Sequence, residues 1–259
     1  MKSKLLEKLF SLQGKNALIT GGYRGIGRII AETYAELGAN VAIVARNREK
    51  CELAASELAQ KYGGKAIGLP LNVRDAKMAD SIVGQIADTF GGIDILINNA
   101  GIAGAEKEIV RMSDEEIDEI MNINFRGCFI MARAVARIMI KQQSGKIINM
   151  ASILGKIAAR NMAGYCASKG AVIQLTRVLA LELAHNNIQV NTLCPGYFSS
   201  DINREFFASE KGREFIKRMI PVNRPGELSE LKSTAIYLAT CPAFLTGTEI
   251  YIDGGHTIF

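Results

Sequence analysis

The sequence predicts an α/β fold, a single domain built on a doubly wound parallel sheet of about seven strands with helices on both faces. Three observations lead there. Seven short apolar, β-branched runs recur along the chain, longer amphipathic stretches with helical period separate them, and a glycine-rich turn follows the first run directly. Runs of this kind separated by helices require right-handed crossovers between parallel strands.

The runs are NALIT (16–20), VAIV (41–44), AIGLP (66–70), DILIN (94–98), KIINM (146–150), IQVNTL (188–193) and EIYID (249–253). They are apolar throughout, as strands covered on both faces should be. After the first comes the helical pattern RIIAETYAEL. Between the fourth and fifth, Ser113, Asp114, Glu115 and Glu116 have the form of a helix N-cap with carboxylates in the first turn, where they meet the positive end of the dipole. In the apolar helix that follows, Met131 and Met139 read as core filler. Another long helical pattern opens at Tyr165 and closes near His185, a position suited to the last carbonyls of a helix. His256, after the last run, reads as a plain tail residue, with reach to a neighbouring site in an oligomer as the alternative, and Cys166 reads as a small packed residue. No repeat or proline-rich linker interrupts the chain, and its five prolines fall at loop-like positions. The expected organisation is one domain over 1–259, with an N-terminal extension at 1–11 and a substrate flap at 197–220.

Composition excludes several function classes. With 259 residues, 48% hydrophobic and 22% charged, the chain suits a soluble globular domain and not a disordered one. The formal charge of +5 is scattered, with no basic run of five and no aromatic platforms, so no nucleic-acid partner is expected. Five widely spaced cysteines without a CxxC pair and only two histidines leave no metal ligand set and no disulfide framework. MKSKLLEKLF breaks its apolar residues with Glu7 and Lys8, so no signal-peptide core forms, and no run is long enough to span a bilayer. No membrane association is expected, and the expected location is the cytoplasm.

In a doubly wound sheet, ligands sit beyond the carboxyl ends of the strands, near the point where strand order reverses. The first such loop reads Thr20, Gly21, Gly22, Tyr23, Arg24, Gly25, Ile26, Gly27. Its glycines permit a tight turn and close approach of backbone amides to a pyrophosphate at the helix start. The spacing is GxxxGxG, not GxGxxG, so position after the first strand carries much of the signal. The second strand ends in Ala45 and Arg46, where NAD-selective proteins carry a carboxylate for the ribose 2′-hydroxyl. Arg46 and Arg24 offer two guanidinium forks for a 2′-phosphate, which favours NADP(H) over NAD(H). Two solvated surface arginines are the alternative reading.

Tyr165 and Lys169, four apart, share one helix face. The pair alone is a weak signal, and its weight comes from Ser152 at the end of KIINMAS and Asn124 in NINFRG, within the preceding long helical segment. A free phenol is a poor base at neutral pH, but a neighbouring ammonium stabilises the phenolate. Tyr165 could then exchange a proton with an alcohol or carbonyl.

With these pieces in order, the chain resembles the short-chain dehydrogenase/reductase family in its short, single-domain Rossmann-type form, over residues 12–259. The matching pieces are TGGYRGIG at 20–27, the sequence Asn98, Asn99, Ala100, Gly101, then Asn124 three before Gly127, Ser152, Tyr165 with Lys169, Pro195 with Gly196, and the terminal Asp253, Gly254, Gly255. The resemblance implies that Tyr165 is the proton donor or acceptor and that Ser152 hydrogen-bonds the substrate oxygen. It further implies that Lys169 stabilises the Tyr165 phenolate and holds the nicotinamide ribose, and that Asn124 positions a proton-relaying water. Asn99, Ala100 and Gly101 would line the adenosine side, Asn72 and Val73 the adenine, and Pro195, Gly196, Phe198 and Ser200 the nicotinamide end. Asn72 departs from a more usual Asp, and Ser200 from a more usual Thr, each keeping a hydrogen-bonding group. A homo-oligomer, specifically a tetramer, is also implied.

The function expected is NADP(H)-dependent interconversion of a ketone and a secondary alcohol, with a small-molecule carbonyl or alcohol as partner. Lys156, Arg160 and Arg204 stand near variable loops and suit an anionic substrate, though surface solvation explains them equally well. LFSLQGKNALITGG and CPGYFSSDINREFF are similar to the gluconate 5-dehydrogenase-like branch, which points to a small polar or sugar-acid substrate. The 3-oxoacyl-acyl-carrier-protein reductases are the alternative, and a non-catalytic NADP(H)-binding module the remote one.

Overall fold

The computed structural model describes residues 4–199 and 203–258. Seven strands form one sheet: β1 (Asn16–Thr20), β2 (Asn40–Ala45), β3 (Ala66–Pro70), β4 (Ile95–Asn98), β5 (Gly145–Met150), β6 (Ile188–Pro195) and β7 (Glu249–Ile252). The ten α-helices among the described residues are α1 (Lys4–Phe10), α2 (Gly25–Glu36), α3 (Arg48–Tyr62), α4 (Ala76–Phe90), α5 (Asp114–Met121), α6 (Gly127–Gln142), α7 (Ala163–Leu183), α8 (Arg204–Ala208), α9 (Glu210–Met219) and α10 (Lys232–Thr240). All neighbouring strands are parallel, in the order β3-β2-β1-β4-β5-β6-β7. Strand order therefore reverses between β1 and β4.

Alternation along the inner strands explains why both faces need cover. Leu18, Ala42, Leu96, Ile147 and Val190 pack with α4, α6 and α7, while Ala17, Ile19, Val41, Ile43 and Ile97 pack with α2, α3 and α10. Met131 and Met139 are buried in the first of these layers, as expected. The two edge strands, β3 and β7, are only half-buried, so the double cover inferred for every run holds for the five inner strands alone. Two prolines depart from the loop positions expected of them: Pro70 and Pro195 are the last residues of β3 and β6. A strand's terminal position tolerates the missing donor.

Local signals are realised at the helix ends. Ser113 Oγ accepts from Glu116 N, and Glu116 Oε2 accepts from Ser113 N at 3.0 Å, a reciprocal cap for α5. Asn47 and Asp75 cap α3 and α4, which end at left-handed Gly63 and Gly91. His185 lies in the 3₁₀ turn Ala184–Asn186 that closes α7. Among the described residues, no helix is long and apolar enough to cross a membrane.

Candidate active site

At the switch point, β1 ends in Thr20 and the chain turns through Gly21, with φ of +67°, into α2. Gly27 admits no side chain: a methyl group there would come within 2.5 Å of both Asn99 Nδ2 and the Gly21 carbonyl oxygen. Gly25 is the reverse case, with φ of +55° and open space around the position a methyl would take. α2 starts without a side-chain cap, since Arg24 at its N-cap is extended and makes no capping bond. Uncapped amides facing an open glycine cradle fit a pyrophosphate. Asn99 braces this turn from β4. Its Nδ2 donates to the Thr20 and Gly21 carbonyls at 2.9 and 3.3 Å, while Thr20 Oγ1 accepts from Asn99 N and Ala100 N, both at 2.9 Å. The side-chain amide of Asn99 is thereby spent on holding two strand ends together.

The cations expected beside β2 are present, with one more. Arg24 lies over the Tyr23 ring at 5.6 Å from its centroid, and Lys50 Nζ lies on the same ring at 5.9 Å. Arg46 is exposed directly after the end of β2, and among the described residues no carboxylate pairs with any of the three. Lys50 was missed in the sequence because it sits in helix α3 and not in a strand-end loop. The N-cap bond from Lys50 N to Asn47 Oδ1, 2.8 Å, fixes where its side chain begins. Of the two residues expected at the adenine, Val73 is buried under Gly127, where a methyl group would come within 2.7 Å of it, and Asn72 Oδ1 accepts from Arg74 N at 3.2 Å.

Beyond β5 and along α7 the four expected catalytic residues come into one neighbourhood. Ser152 is buried just past the end of β5 and accepts from Leu154 N at 3.1 Å, leaving its own O–H free to donate. The turn Ile153–Gly155 after it packs directly on α7, because a methyl group at Gly155 would lie 2.9 Å from the Lys169 carbonyl oxygen. Lys169, only 5% exposed, donates to the Met150 carbonyl at 2.8 Å, and its Nζ lies 5.6 Å from the centre of the Tyr165 ring. Tyr165 itself is the third residue of α7 and half-buried.

Asn124 does not lie in a regular helix, as its long helical pattern suggested. It sits in a π-turn, Asn122–Arg126, between α5 and α6. Its Oδ1 accepts from Ile102 N at 2.8 Å, and its Nδ2 donates to Ile102 O and Ser168 Oγ at 2.8 and 3.0 Å. Asn124 Oδ1 and Lys169 Nζ both flank Gly101, at 3.1 and 3.6 Å from the position of a methyl group there. Beneath the group, burial pushes the Cys128 and Cys194 thiols up to about 12, so neither is a nucleophile at neutral pH.

Pro195, expected with Gly196 at the nicotinamide end, closes β6, and Gly196 N donates to Ile252 O at 2.9 Å. Phe198 is buried against Gly226 and bridged to it. Ser200 lies outside the described residues. Tyr197 was not singled out in the sequence, yet burial raises its hydroxyl pKa, with Glu106, Cys166 and Tyr165 adding to the rise. His256 is not a plain tail residue: it is buried and stacked on Tyr197, with ring centres 5.6 Å apart. A DGG turn folds the terminus back on the sheet, which the sequence alone did not disclose. Lys156 is exposed, with its Nζ 4.8 Å from the Tyr251 ring on edge strand β7. A separate, half-open cavity of about 230 Å³, lined in part by Leu9, Lys15, Asp94, Lys146 and Gln189, lies at the amino ends of the strands and touches none of these groups.

Comparison with known proteins agrees with this geometry. Residues 15–211 match the family model of the short chain dehydrogenases. The chain is 36% identical to the 3-oxoacyl-acyl-carrier-protein reductase FabG of Aquifex aeolicus, over 94% of this chain and 98% of that protein. It is 35% identical to the 5-keto-D-gluconate 5-reductase of Escherichia coli K12, over 96% of this chain and 98% of that protein. A crystal structure of a gluconate 5-dehydrogenase from Burkholderia cenocepacia in complex with NADP and tartrate superposes with a TM-score of 0.92 at 35% identity, over 97% of this chain and 98% of that one. A parallel sheet with its order reversed at β1/β4, a glycine cradle at that point and a Ser, Tyr and Lys set beside it are thus joined by full-length similarity, and the chain belongs to the short chain dehydrogenase family of oxidoreductases.

Proposed function

We propose that this protein reduces a ketone to a secondary alcohol, and catalyses the reverse oxidation, with NADP(H) preferred over NAD(H) and a small polar or sugar-acid substrate. The observation that carries the reading is the placement of Lys169: buried, anchored on Met150 O, and within 5.6 Å of the Tyr165 ring centre. A buried ammonium in that place has a chemical use beside a phenol and little structural one.

Gly21, Gly25, Gly27 and the start of α2 would hold the pyrophosphate, Arg24, Arg46 and Lys50 the 2′-phosphate, and Asn72, Val73, Ala100 and Gly101 the adenosine. Lys169 would hold the nicotinamide ribose, with Pro195, Gly196, Phe198 and Ser200 around the nicotinamide end. The bound nicotinamide supplies or takes up the hydride. Tyr165 gives its hydroxyl proton to the carbonyl oxygen, or takes one from the alcohol in the other direction. Ser152, its lone pair already engaged by Leu154 N, donates its O–H to the same oxygen and stabilises the charge that develops there. Asn124, held on three sides by the protein, keeps the 101–102 loop and Lys169 in place for a water that returns the proton.

Reduction of a 3-oxoacyl thioester is the second reading, favoured by the 36% identity to the Aquifex reductase. We also assign the protein to the cytoplasm and to a homotetramer; the exposed apolar residues Phe129 and Ile140 of α6 and Val178 and Leu181 of α7 support an assembly face. The test is oxidation of NADPH and NADH across 5-ketogluconate, other keto sugars, 3-oxoacyl thioesters and simple ketones, with the oligomer mass measured by light scattering. Turnover of a keto sugar acid with NADPH is the expected result. Turnover of thioesters alone establishes the second reading, and NADPH binding without turnover of any carbonyl overturns both in favour of a cofactor-binding module.

A further inference from the structure

We propose that His256 is a positioning residue for substrate binding, acting through Tyr197, and that the C-terminal turn is the seat on which both ends of the substrate segment rest. The inference rests on the carbonyl-reduction reading above. At the start of the segment, a methyl group at Gly196 would come within 2.8 Å of Asp253 Cα, and Tyr197 lies on His256 with the ring planes tilted by 32°. At its end, Val222 N donates to Gly254 O at 3.3 Å, and a methyl group at Gly254 would lie 2.6 Å from Val222 and 2.9 Å from Ile220. The turn between is rigid. Asp253 accepts from Gly255 N at 3.0 Å, from Thr257 N at 2.9 Å and from Thr257 Oγ1 at 2.7 Å, and Gly254 and Gly255 take φ values of +63° and +87° that side chains rarely adopt.

His256 is 7% exposed, and its Nδ1 is buried without a hydrogen-bond partner. With Nδ1 unpartnered, the hold on Tyr197 is exerted by the face of the imidazole. Tyr197 carries it onward: it lies just past the carboxyl end of β6, where ligands of a doubly wound sheet sit, and is edge-on to Phe215 at 5.0 Å and Phe207 at 6.4 Å. Displacing His256 therefore moves the wall of the cleft opposite the catalytic tyrosine while leaving the glycine cradle untouched.

The test uses the full-length protein and three variants, His256→Ala, His256→Phe and His256→Asn. His256→Ala and His256→Asn are expected to raise KM for the carbonyl substrate about tenfold, with KM for NADPH within about twofold of the parent; His256→Phe, which keeps a ring face, restores the parent value. In a Tyr197→Ala background the His256→Ala change is expected to add nothing further. A second readout does not need turnover: trypsin should cut at Lys211, Arg213, Lys217 and Arg218 several times faster in His256→Ala than in the parent or in His256→Phe. Unchanged carbonyl KM, equal rises in both KM values, or additive effects with Tyr197→Ala overturn the proposal, as does an unchanged cleavage rate. A parent protein that reduces no carbonyl overturns the reaction assigned above, and the cleavage rates then decide on the seat alone.

Discussion

Asn98 and Asn149 stand opposite each other at the carboxyl ends of β4 and β5, and the Asn98 amide donates to the Asn149 carbonyl oxygen at 2.9 Å. Asn149 in turn donates to Thr176 Oγ1 at 2.9 Å on α7, and Cys128 Sγ donates to the same Asn149 oxygen at 3.3 Å. This buried network joins the sheet to α6, which follows the turn holding Asn124, and to α7, which carries Tyr165. Asn149→Leu strips partners from Asn98 and Thr176 and should cost about 2 kcal/mol. In a domain of this size that is a fall of roughly 4–8 °C in Tm. A shift of under a degree in thermal denaturation would falsify the view that the network holds the layers together.

Tyr165→Phe keeps the ring beside Lys169 and removes only the exchangeable proton. The expected loss in kcat is about a thousandfold, or roughly 4 kcal/mol. NADPH affinity, measured by fluorescence titration, should stay within about twofold.

Arg24, Arg46 and Lys50 are three cations with no carboxylate partner among the described residues, gathered around Tyr23 and the end of β2. Replacing any one by Gln should raise KM for NADPH about tenfold, near the worth of one charged hydrogen bond, and leave KM for NADH unchanged. Parallel losses with both cofactors would place these side chains outside the 2′-phosphate site.

Gly27→Ala puts a methyl group where Asn99 Nδ2 and the Gly21 carbonyl oxygen already lie. The turn must open, at a cost of about 1–3 kcal/mol, and cofactor binding should be lost before the fold is. Gly25→Ala meets no atom but requires a left-handed alanine, so a smaller loss is expected in the same titration.

Burial lowers the pKa of His256 from its ordinary 6.5, with Asp253 opposing, while Tyr197 faces it from the other side. The unfolded chain therefore takes up a proton that the folded one resists. Stability supplied by the neutral imidazole is present above pH 6.5 and is lost as pH falls below it toward the folded value. The Tm of the parent should drop more steeply across this window than that of His256→Phe. Equal slopes would show that another group sets the acid limb.

All seven strands were legible to within two residues, the five inner ones because strands covered on both faces write themselves as unbroken apolar runs, and β3 and β7 as short apolar runs although they are only half-buried. Ser113 as a cap and Tyr165 with Lys169 on one face were legible for the same kind of reason, fixed geometry at fixed spacing. What was not legible depends on long-range contact. His256 reads as a tail until the Asp253 turn folds it under Tyr197, 59 positions earlier in the chain. Lys50 becomes a cofactor candidate only when α3 brings it over Tyr23. Asn124 looked helical because a π-turn has helical composition and differs by a single residue in its hydrogen-bond span.

That extra residue gives the stretch 114–142 something like a reading frame. One residue advances a helix by about 100°, so the π-turn sets α5 about a quarter-turn out of phase with α6. Deleting any one position within 122–126 would let the chain run on as an unbroken α-helix. The face of α5 that puts Ile117 and Ile120 against Gly164, and Ile120 against Gly104, would then swing away from α7. Glu116 would leave Lys107, and the Asn124 amide would leave Ile102 and Ser168. Point substitutions on the outer side of this helix are therefore readily absorbed, while any change of its length by one residue dismantles the site from a distance.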